Sequence, residues 1–209
     1  SELKENNLKK STLEEQIDLL LETSHLISSN LTRAANLIKS FKKISVDQSH
    51  EDLREFYIGE YIQEVFLTFH NQLKTLPIQI DIDVQKHLLI HSYPGIIAQV
   101  ISNLIQNTIF HAFDDGRSGK LQIRSKEKDG KLLIIFKDTG RGMDETLLKK
   151  VFEPFVTTKR HKGGSGLGLN IVYNLVTQKL QGNIDVVSKI DEGTTFSITM
   201  PLHLNVKNR

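Results

Sequence analysis

Three polar side chains in the segment NLIQNTIFHAF, residues 103–113, are spaced like residues that share one face of a helix. Asn103, Asn107 and His111 follow one another in steps of four, which places them one above the other along an α-helix. Most other positions of the segment are apolar. Amide and imidazole groups stacked in this way predict a helix face that lines a solvated binding site. The alternative is a polar stripe on the protein surface.

A second candidate is the segment DTGRGM, residues 138–143, which follows the apolar run LLIIFK. Asp138 ends a predicted strand, and ligands commonly bind beyond the carboxyl ends of strands. A buried carboxylate there needs a hydrogen-bond donor, which an amino group of a ligand would supply. Gly140 and Gly142 would allow a ligand to pack against the backbone. The alternative is an ordinary turn, for which Asp-x-Gly is well suited.

The segment FEPFVTTKRHKGGSGLGL, residues 152–169, combines a basic stretch with a run of glycines. From Thr157 onward it is polar, and Lys159, Arg160 and Lys162 could neutralise a polyphosphate. Its glycines precede a predicted helix, where free backbone N–H groups form a site for an anion. The alternatives are a disordered surface loop and a glycine-rich hinge that binds no ligand.

Helices and strands that alternate along the chain must position these segments. Helical periodicity predicts helices over residues 57–69, 94–113 and from 168 to a stop at Gly182. Alternating or continuous apolar residues predict strands at 78–84, 121–125, 132–138, 183–188 and 194–201. Several of these strands would pair as hairpins, and this mixture predicts an α/β fold with a two-layer α/β sandwich rather than a doubly wound parallel sheet.

The N-terminal part of the chain carries one long apolar stripe. Apolar or small residues recur in steps of three and four from Leu13 to Phe41, without Gly or Pro, which predicts a helix over residues 11–44. Such a helix cannot bury its stripe against itself. We therefore expect one arm of a helical bundle or hairpin whose mate is missing or comes from a dimer. A core helix of the globular domain is the alternative. Residues 45–56 are predicted to be a polar linker.

The composition argues against several kinds of protein. The chain has 209 residues, a formal net charge of +2 and no cysteine. The charge balance gives no reason to propose nucleic acid or a membrane surface as the main partner. The absence of cysteine excludes disulfides, thiol catalysis and thiolate metal sites. No stretch is typical of a membrane span or a signal peptide. We therefore expect a cytoplasmic region, in a full-length protein that upstream segments could anchor to a membrane.

In their order and spacing, the segments resemble the N, G1, F and G2 boxes of the GHKL superfamily. This superfamily comprises gyrase-type topoisomerases, heat-shock chaperones, sensor histidine kinases and mismatch-repair ATPases. The matching residues are Asn103–His111, DTGRGM, FEPF and GGSGLGL. FEPF and the short lid, residues 157–164, point to the histidine kinase branch. The resemblance covers about residues 55–202.

The resemblance implies a Bergerat-type ATP-binding fold, a two-layer α/β sandwich with a mixed sheet, preceded by a long N-terminal helix. It also implies two domains. Residues 1–50 would be the second helix of a dimerisation and phosphotransfer hairpin, and residues 51–209 would be the ATP-binding catalytic domain.

ATP and Mg²⁺ are the cofactors that the resemblance implies. Asn107 would be the metal ligand, and a neutral amide suits Mg²⁺ because this ion also keeps waters and phosphate oxygens. Asn103 and His111 would lie near the phosphates or the waters of the metal. Asp138 would accept a hydrogen bond from the adenine amino group, and the hydroxyl of Thr194 would help to hold the adenine end.

The family assigns the glycines to backbone contacts with the nucleotide. Gly142 would let the base lie against the backbone, beside Gly140. Four residues at the start of the next helix would wrap the phosphates: Gly164, Gly166, Leu167 and Gly168. Phe152 and Phe155 would be structural anchors of the lid.

Two positions depart from the family pattern. Phe110 stands where many histidine kinases carry a basic residue, which removes one phosphate contact that Lys159 or Arg160 of the lid would replace. Thr139 stands where the family usually has asparagine.

No phosphoacceptor histidine matches the pattern H-E-x-x-x-P among the eight histidines of the chain. His25 lies on the predicted N-terminal helix, but it has no acid after it and no proline nearby. We therefore expect no catalytic residue in this chain, with the acceptor and any sensor domain upstream.

The implied function is that of the catalytic ATP-binding region of a two-component sensor histidine kinase. Its partners would be ATP, a second copy of the kinase through the N-terminal helix, and the receiver domain of a response regulator, with no nucleic acid and no membrane contact by this chain. Two alternatives are a GHKL serine kinase of the anti-sigma-factor type and a non-catalytic nucleotide-binding module. The apolar N-terminal stripe and FEPF argue against the first, and the intact Asn107, Asp138 and glycine loop argue against the second.

Overall fold

The structure is a computed structural model that describes residues 10–46, 52–159 and 164–204. The chain divides into two compact units, Ser1–Ser49 and His50–Arg209. In chain order the elements are α1 (Lys10–Val46), β1 (Arg54–Tyr57), α2 (Ile58–Thr68), α3 (His70–Leu73), β2 (Ile78–Val84), β3 (Leu89–Ser92), α4 (Pro94–Asn107), β4 (Gly119–Lys128), β5 (Lys131–Asp138), α5 (Glu145–Lys149), α6 (Gly168–Asn174), β6 (Asn183–Lys189) and β7 (Gly193–Pro201).

The predicted long N-terminal helix is confirmed as α1, which has 37 residues. Its apolar side chains are exposed, as in Leu13, Leu20 and Leu31, with exposed fractions of 47%, 69% and 66%. The predicted continuation of the stripe through Ala34 and Phe41 lies outside the described side chains. Among the described residues, no helix combines the length and the apolar character that a membrane span requires.

The second unit is built on a five-stranded sheet with the order β2-β4-β5-β7-β6. β2 and β4 are parallel, whereas the pairs β4–β5, β5–β7 and β6–β7 are antiparallel. The sheet is therefore mixed, as predicted. Its hairpins arise because short turns can join only antiparallel neighbours.

One face of this sheet is buried by helices. Along β5, Leu132, Ile134 and Phe136 are buried while the residues between them are not, which is the period-2 pattern of a strand with one covered face. The apolar faces of α2, α4 and α6 belong to the same core cluster. The predicted two-layer α/β sandwich is confirmed.

A small second sheet was not predicted. β1 pairs antiparallel with β3, with Arg54 opposite Ser92. The expectation of a linker over residues 45–56 is therefore wrong for residues 54–56, which belong to β1. Only Phe56 of β1 is buried, and a strand with one buried residue leaves no alternating pattern in the sequence. The short helices α3 and α5 were also missed.

Candidate functional site

Two half-buried amide side chains on α4 face the start of α6. The Nδ2 atoms of Asn103 and Asn107 are buried and have no hydrogen-bond partner within the part of the chain that the structure describes. A Cβ atom added at Gly168 would lie 3.8 Å from Oδ1 of Asn107 and 3.9 Å from Oδ1 of Asn103. Buried polar groups nearly always have partners. Two neighbouring amides without one indicate a place that a polar ligand completes.

The predicted helix over 94–113 is present, but its last turn is not a regular α-helical turn. α4 passes into a π turn over Thr108–Ala112, in which hydrogen bonds run from i to i+5, and such turns are frequent at functional sites. His111 therefore lies on a widened turn and not on a regular continuation of the face that carries Asn103 and Asn107. A four-residue spacing in the sequence cannot distinguish these two arrangements.

His111 connects this turn to residues 157–159, which we call the lid stem. Its Nδ1 atom lies 3.4 Å from Oγ1 of Thr158. The pKa of His111 is lowered from 6.5, chiefly because burial disfavours the charged imidazolium, and also because the positive charges of Lys159 and Arg141 are near. The imidazole is therefore neutral at physiological pH, when it can donate one hydrogen bond and accept another.

Asp138 is a buried carboxylate at the end of β5. It is 4% exposed, and the backbone N–H of Gly140 donates to its Oδ1 at 2.9 Å. The register places Asp138 opposite Thr194 of β7. Burial raises the pKa of Asp138 from 3.8 to about 6 against the lowering effect of backbone donors from Gly140 and Thr194. At neutral pH the group is an acceptor with a strong demand for a further donor.

The loop after Asp138 needs glycine for reasons of packing. Gly142 has a φ of +65°, and a Cβ atom there would lie 1.9 Å from the carbonyl oxygen of Lys189. Any side chain would therefore collide with the backbone at the end of β6, and it would also be strained at this φ. The contact of Gly142 with a flat base stays a prediction, separate from this packing requirement.

Ser188 holds the same loop and was missed in the sequence. Its hydroxyl accepts from the backbone N–H of Met143 at 2.9 Å, donates to the carbonyl of Gly193 at 3.0 Å, and lies 2.9 Å from Oγ1 of Thr194. The signal was present, because Ser188 is a polar residue at a position of β6 that shares the inward face with Ile184. A hydroxyl at an inward strand position needs a partner.

The end of α4 joins the two halves of the site. The backbone N–H of Arg141 donates to the carbonyl oxygen of Ala112 at 3.0 Å, and a Cβ atom added at Gly140 would lie 2.5 Å from Cβ of Ala112. The loop after Asp138 thus packs on the π turn, while the amides one turn earlier face α6. The segments around residues 103–111, 138–143 and 164–168 meet around a single helix.

Lys159 is paired with a carboxylate that the sequence pattern did not indicate. Its ammonium forms an ion pair with Asp114, whose Oδ1 also lies 3.4 Å from Nη1 of Arg141. The pattern of residues could not reveal Asp114, because both partners come from distant segments. The predicted contact of Arg160 lies outside the described residues.

Residues 164–168, which we call the glycine loop, are hydrogen-bonded to the lid stem. The backbone N–H of Gly164 donates to the carbonyl of Lys159 at 3.0 Å, and that of Leu167 donates to Oγ of Ser165 at 3.3 Å. Gly166 has a φ of +68°, and a Cβ atom there would lie 2.5 Å from the carbonyl carbon of Phe155. A residue with a side chain could not occupy position 166 without displacing this backbone.

The two phenylalanines of FEPF differ in burial. Phe152 packs against the core, with its ring 5.2 Å from that of Tyr173, as expected of an anchor. Asn170 of α6 donates to the Phe152 carbonyl at 2.8 Å, a contact that the sequence did not suggest. Phe155 is 60% exposed and its backbone packs against Gly166, so its role as an anchor of the lid stays a prediction.

Known proteins of one ATPase family are similar to this chain. The profile of the family described as histidine kinase-, DNA gyrase B-, and HSP90-like ATPase matches residues 93–204, more than half of the chain. Sporulation kinase E of Bacillus subtilis (strain 168) is 31% identical over 186 residues, which are 88% of this chain and 24% of that protein. The chain spans less than a third of the length of the curated relatives that it matches.

Solved structures show the same fold. The catalytic domain of histidine kinase ThkA gives a TM-score of 0.64 at 29% identity and covers 73% of this chain and 97% of its own. Histidine kinase ThkA in complex with response regulator protein TrrA gives a TM-score of 0.67 at 24% identity, with 95% and 54% covered. At that identity the second likeness shows the fold alone.

Proposed function

Because the chain belongs to the family of histidine kinase-, DNA gyrase B- and HSP90-like ATPases, we propose that it is the ATP-binding catalytic region of a two-component sensor histidine kinase. It would donate the γ-phosphoryl group of ATP to a histidine outside this chain. The observation that carries this proposal is the pair of buried Nδ2 groups of Asn103 and Asn107, which face Gly168 and have no hydrogen-bond partner among the described residues.

The adenine end of the nucleotide would bind at Asp138. A buried carboxylate whose one oxygen accepts from Gly140 has capacity for further donors, and the adenine amino group is such a donor. Thr194 and Gly142 would border the base. Hydrogen bonds to an ionised acceptor are about twice as strong as neutral ones, so this contact would contribute much of the selectivity for adenine.

The phosphate end fits Mg²⁺. Asn107 would hold the ion through its amide oxygen, with Asn103 and His111 near the waters of the metal, and a bound Mg²⁺ would neutralise charge on the phosphates. Amide side chains offer both an oxygen ligand and N–H donors. This matches the buried Nδ2 groups, for which the described part of the chain supplies no partner. Backbone groups of the glycine loop would contact the phosphates, at Gly164, Gly166, Leu167 and Gly168.

The role of this chain in phosphoryl transfer would be to bind and orient the donor. In such reactions the protein mainly positions groups and stabilises charge. Lys159 and Arg160 would add positive charge at the phosphates. The domain boundaries near residue 50 and the cytoplasmic location stay predictions.

We propose two protein partners for the full-length kinase. The exposed apolar side chains of α1, such as Leu20 and Leu31, support association with a second copy through this helix, because an apolar stripe of this length needs a partner. The relative ThkA is described with a response regulator protein, which supports a receiver domain as the acceptor in the second step.

We expect the chain to bind ATP with Mg²⁺ and to acquire no phosphate itself. Incubation with γ-labelled ATP, followed by separation of the protein at acid and at neutral pH, measures this. A His25→Ala variant is the matched control and should behave like the unchanged chain. Acid-labile phosphate that maps to His25 would contradict the proposed location of the acceptor. Acid-stable phosphate on a partner protein would indicate a serine kinase instead.

Binding of the base should depend on the ionisation of Asp138. With a pKa of about 6, roughly a tenth of these carboxyls are ionised at pH 5. Because the ionised form is the competent acceptor, adenosine should bind about tenfold more weakly at pH 5 than at pH 8. Adenosine is the right probe because it carries no phosphate that titrates. An NMR titration at both pH values tests this, and a flat profile would contradict the role of Asp138.

Folding stability is a poorer measure of the same ionisation. The raised pKa of Asp138 makes the folded state bind a proton that the unfolded state releases, so this group adds stability as pH falls from about 6 to 3.8. The lowered pKa of His111 has the opposite effect, because below 6.5 the unfolded state takes up the proton first. The two contributions oppose each other, so adenosine binding is the better measure of the ionisation of Asp138.

A further inference from the structure

Asp114 follows the π turn of α4 and binds two cationic side chains at once. It forms an ion pair with Lys159, and Nη1 of Arg141 lies 3.4 Å from its Oδ1. The side chains of Lys159 and Asp114 are only 12% and 16% exposed. Charges shielded from water to this degree interact more strongly than those of an exposed pair.

Lys159 is attached to both parts of the proposed phosphate site. Its carbonyl oxygen accepts from the backbone N–H of Gly164 at 3.0 Å, at the start of the glycine loop. The preceding residue, Thr158, lies 3.4 Å from His111 on the π turn. The ammonium group of Lys159 is therefore held where the end of α4 meets the glycine loop, but it is engaged by a carboxylate.

We propose that Asp114 is a positioning residue that competes with the phosphates of ATP for the ammonium group of Lys159, an inference that rests on the proposed function. Without nucleotide, Lys159 is paired with Asp114. When ATP binds, its phosphates attract the same ammonium, and Lys159 exchanges one anion for another. Asp114 thereby sets the affinity for the phosphate part of the ligand and leaves the base unaffected.

Arg141 lowers the free-energy cost that Asp114 bears when Lys159 leaves it. A buried carboxylate that loses its only cation is strongly destabilised, but Asp114 keeps Arg141 after Lys159 has left. The backbone N–H of Arg141 is fixed to the carbonyl of Ala112 at 3.0 Å, so this residue stays beside Asp114. The second cation is what distinguishes a competing carboxylate from a permanent structural ion pair.

Asp114→Asn is the first test. The variant keeps the shape of the side chain and removes the competing charge, so ATP with Mg²⁺ should bind about three- to tenfold more tightly at low ionic strength, as measured by isothermal titration calorimetry. Adenosine should bind as it does to the unchanged chain. Asp115→Asn is the matched control, because Asp115 is the adjacent carboxylate and pairs with Arg117 instead of the lid stem. It should leave ATP affinity within about twofold.

A double-mutant cycle with Lys159→Gln separates competition from a general loss of negative charge. In the Lys159→Gln background, Asp114→Asn should no longer increase ATP affinity. Weaker or unchanged ATP binding by Asp114→Asn, or a gain that persists without Lys159, would overturn the inference. If Asp114→Asn does not fold, Lys159→Gln decides. It should weaken ATP binding and not adenosine binding, and unchanged ATP affinity would overturn the inference.

The unchanged chain distinguishes this inference from the function on which it rests. Failure of the unchanged chain to bind ATP would overturn the proposed function, and the inference with it. Normal ATP binding with no response to Asp114→Asn would overturn only the role of Asp114.

Discussion

Asp138→Asn should weaken the binding of adenine nucleotides by about 10- to 100-fold without destabilising the domain. The substituted amide can still accept from the N–H of Gly140, as Oδ1 of Asp138 does at 2.9 Å. Its NH₂ group, however, would face the amino group of adenine, and two donors cannot satisfy each other. A hydrogen bond to a charged group contributes about 1.5–3 kcal/mol, which corresponds to the expected loss of affinity.

The same substitution should leave the melting temperature unchanged or raise it. A pKa raised from 3.8 to about 6 corresponds to roughly 3 kcal/mol against the ionised form. At neutral pH the folded domain bears this cost in the absence of nucleotide, and asparagine removes it. Stability and binding are therefore expected to change independently or in opposite directions.

Titration calorimetry with ATP and thermal unfolding without ligand measure the two effects of Asp138→Asn. Asp144→Asn is the matched control in the same loop. Asp144 is exposed and caps α5 by accepting from Leu147 at 2.7 Å, and asparagine caps helices about as well as aspartate. If Asp138→Asn lowers the melting temperature by several degrees and binding falls in parallel, the carboxylate serves the fold and not the ligand.

Local patterns predicted those elements of the fold that bury a complete face. β5 was recognisable because residues 132–136 form a continuous apolar run, and α4 because its apolar residues recur with helical spacing. β1 was not recognisable, since Phe56 is its only buried residue. A strand of this kind exists because of its pairing with β3, which is a property of the tertiary structure and not of the local sequence.

The residues of the candidate site show the same distinction between what local spacing predicts and what only the tertiary structure brings together. Asn103 and Asn107 share a face because four-residue spacing guarantees it on any α-helix, so the sequence alone brought these amides together. The ion pair of Asp114 with Lys159 joins segments far apart in the chain, and nothing local marks either residue as the other's partner. His111 is intermediate, because its spacing was correct but the π turn changed its direction and its contacts.

Asn107→Ala should remove most of the contribution that Mg²⁺ makes to the affinity for ATP. Losing a residue that only hydrogen-bonds to a metal ligand lowers metal affinity about 10- to 100-fold. If Asn107 supplies the only side-chain ligand, its loss should lower the affinity for Mg²⁺ by at least this factor. The domain should stay folded, because Nδ2 of Asn107 is buried without a partner among the described residues, and removing such a donor relieves its desolvation cost.

The measurement compares ATP affinity in Mg²⁺ and in EDTA for three alanine variants of one helix. Gln106→Ala is the control, since Gln106 is exposed on α4 beside Asn107 and should keep the full Mg²⁺ dependence. Asn103→Ala should lose part of it, because Asn103 is expected to contact waters of the metal and not the metal itself. Asn107→Ala should bind ATP almost equally with and without Mg²⁺.

Adenosine distinguishes loss of the metal from collapse of the site. Its affinity should be the same for all three variants, because the base would bind at Asp138. The loop after Asp138 contacts the π turn at Ala112, at the opposite end of that turn from Asn107. Equal losses of Mg²⁺ dependence in the Asn103 and Asn107 variants would show that neither amide is the dedicated ligand. A loss of adenosine binding in Asn107→Ala would instead show that this side chain supports the packing of α4 against its neighbours.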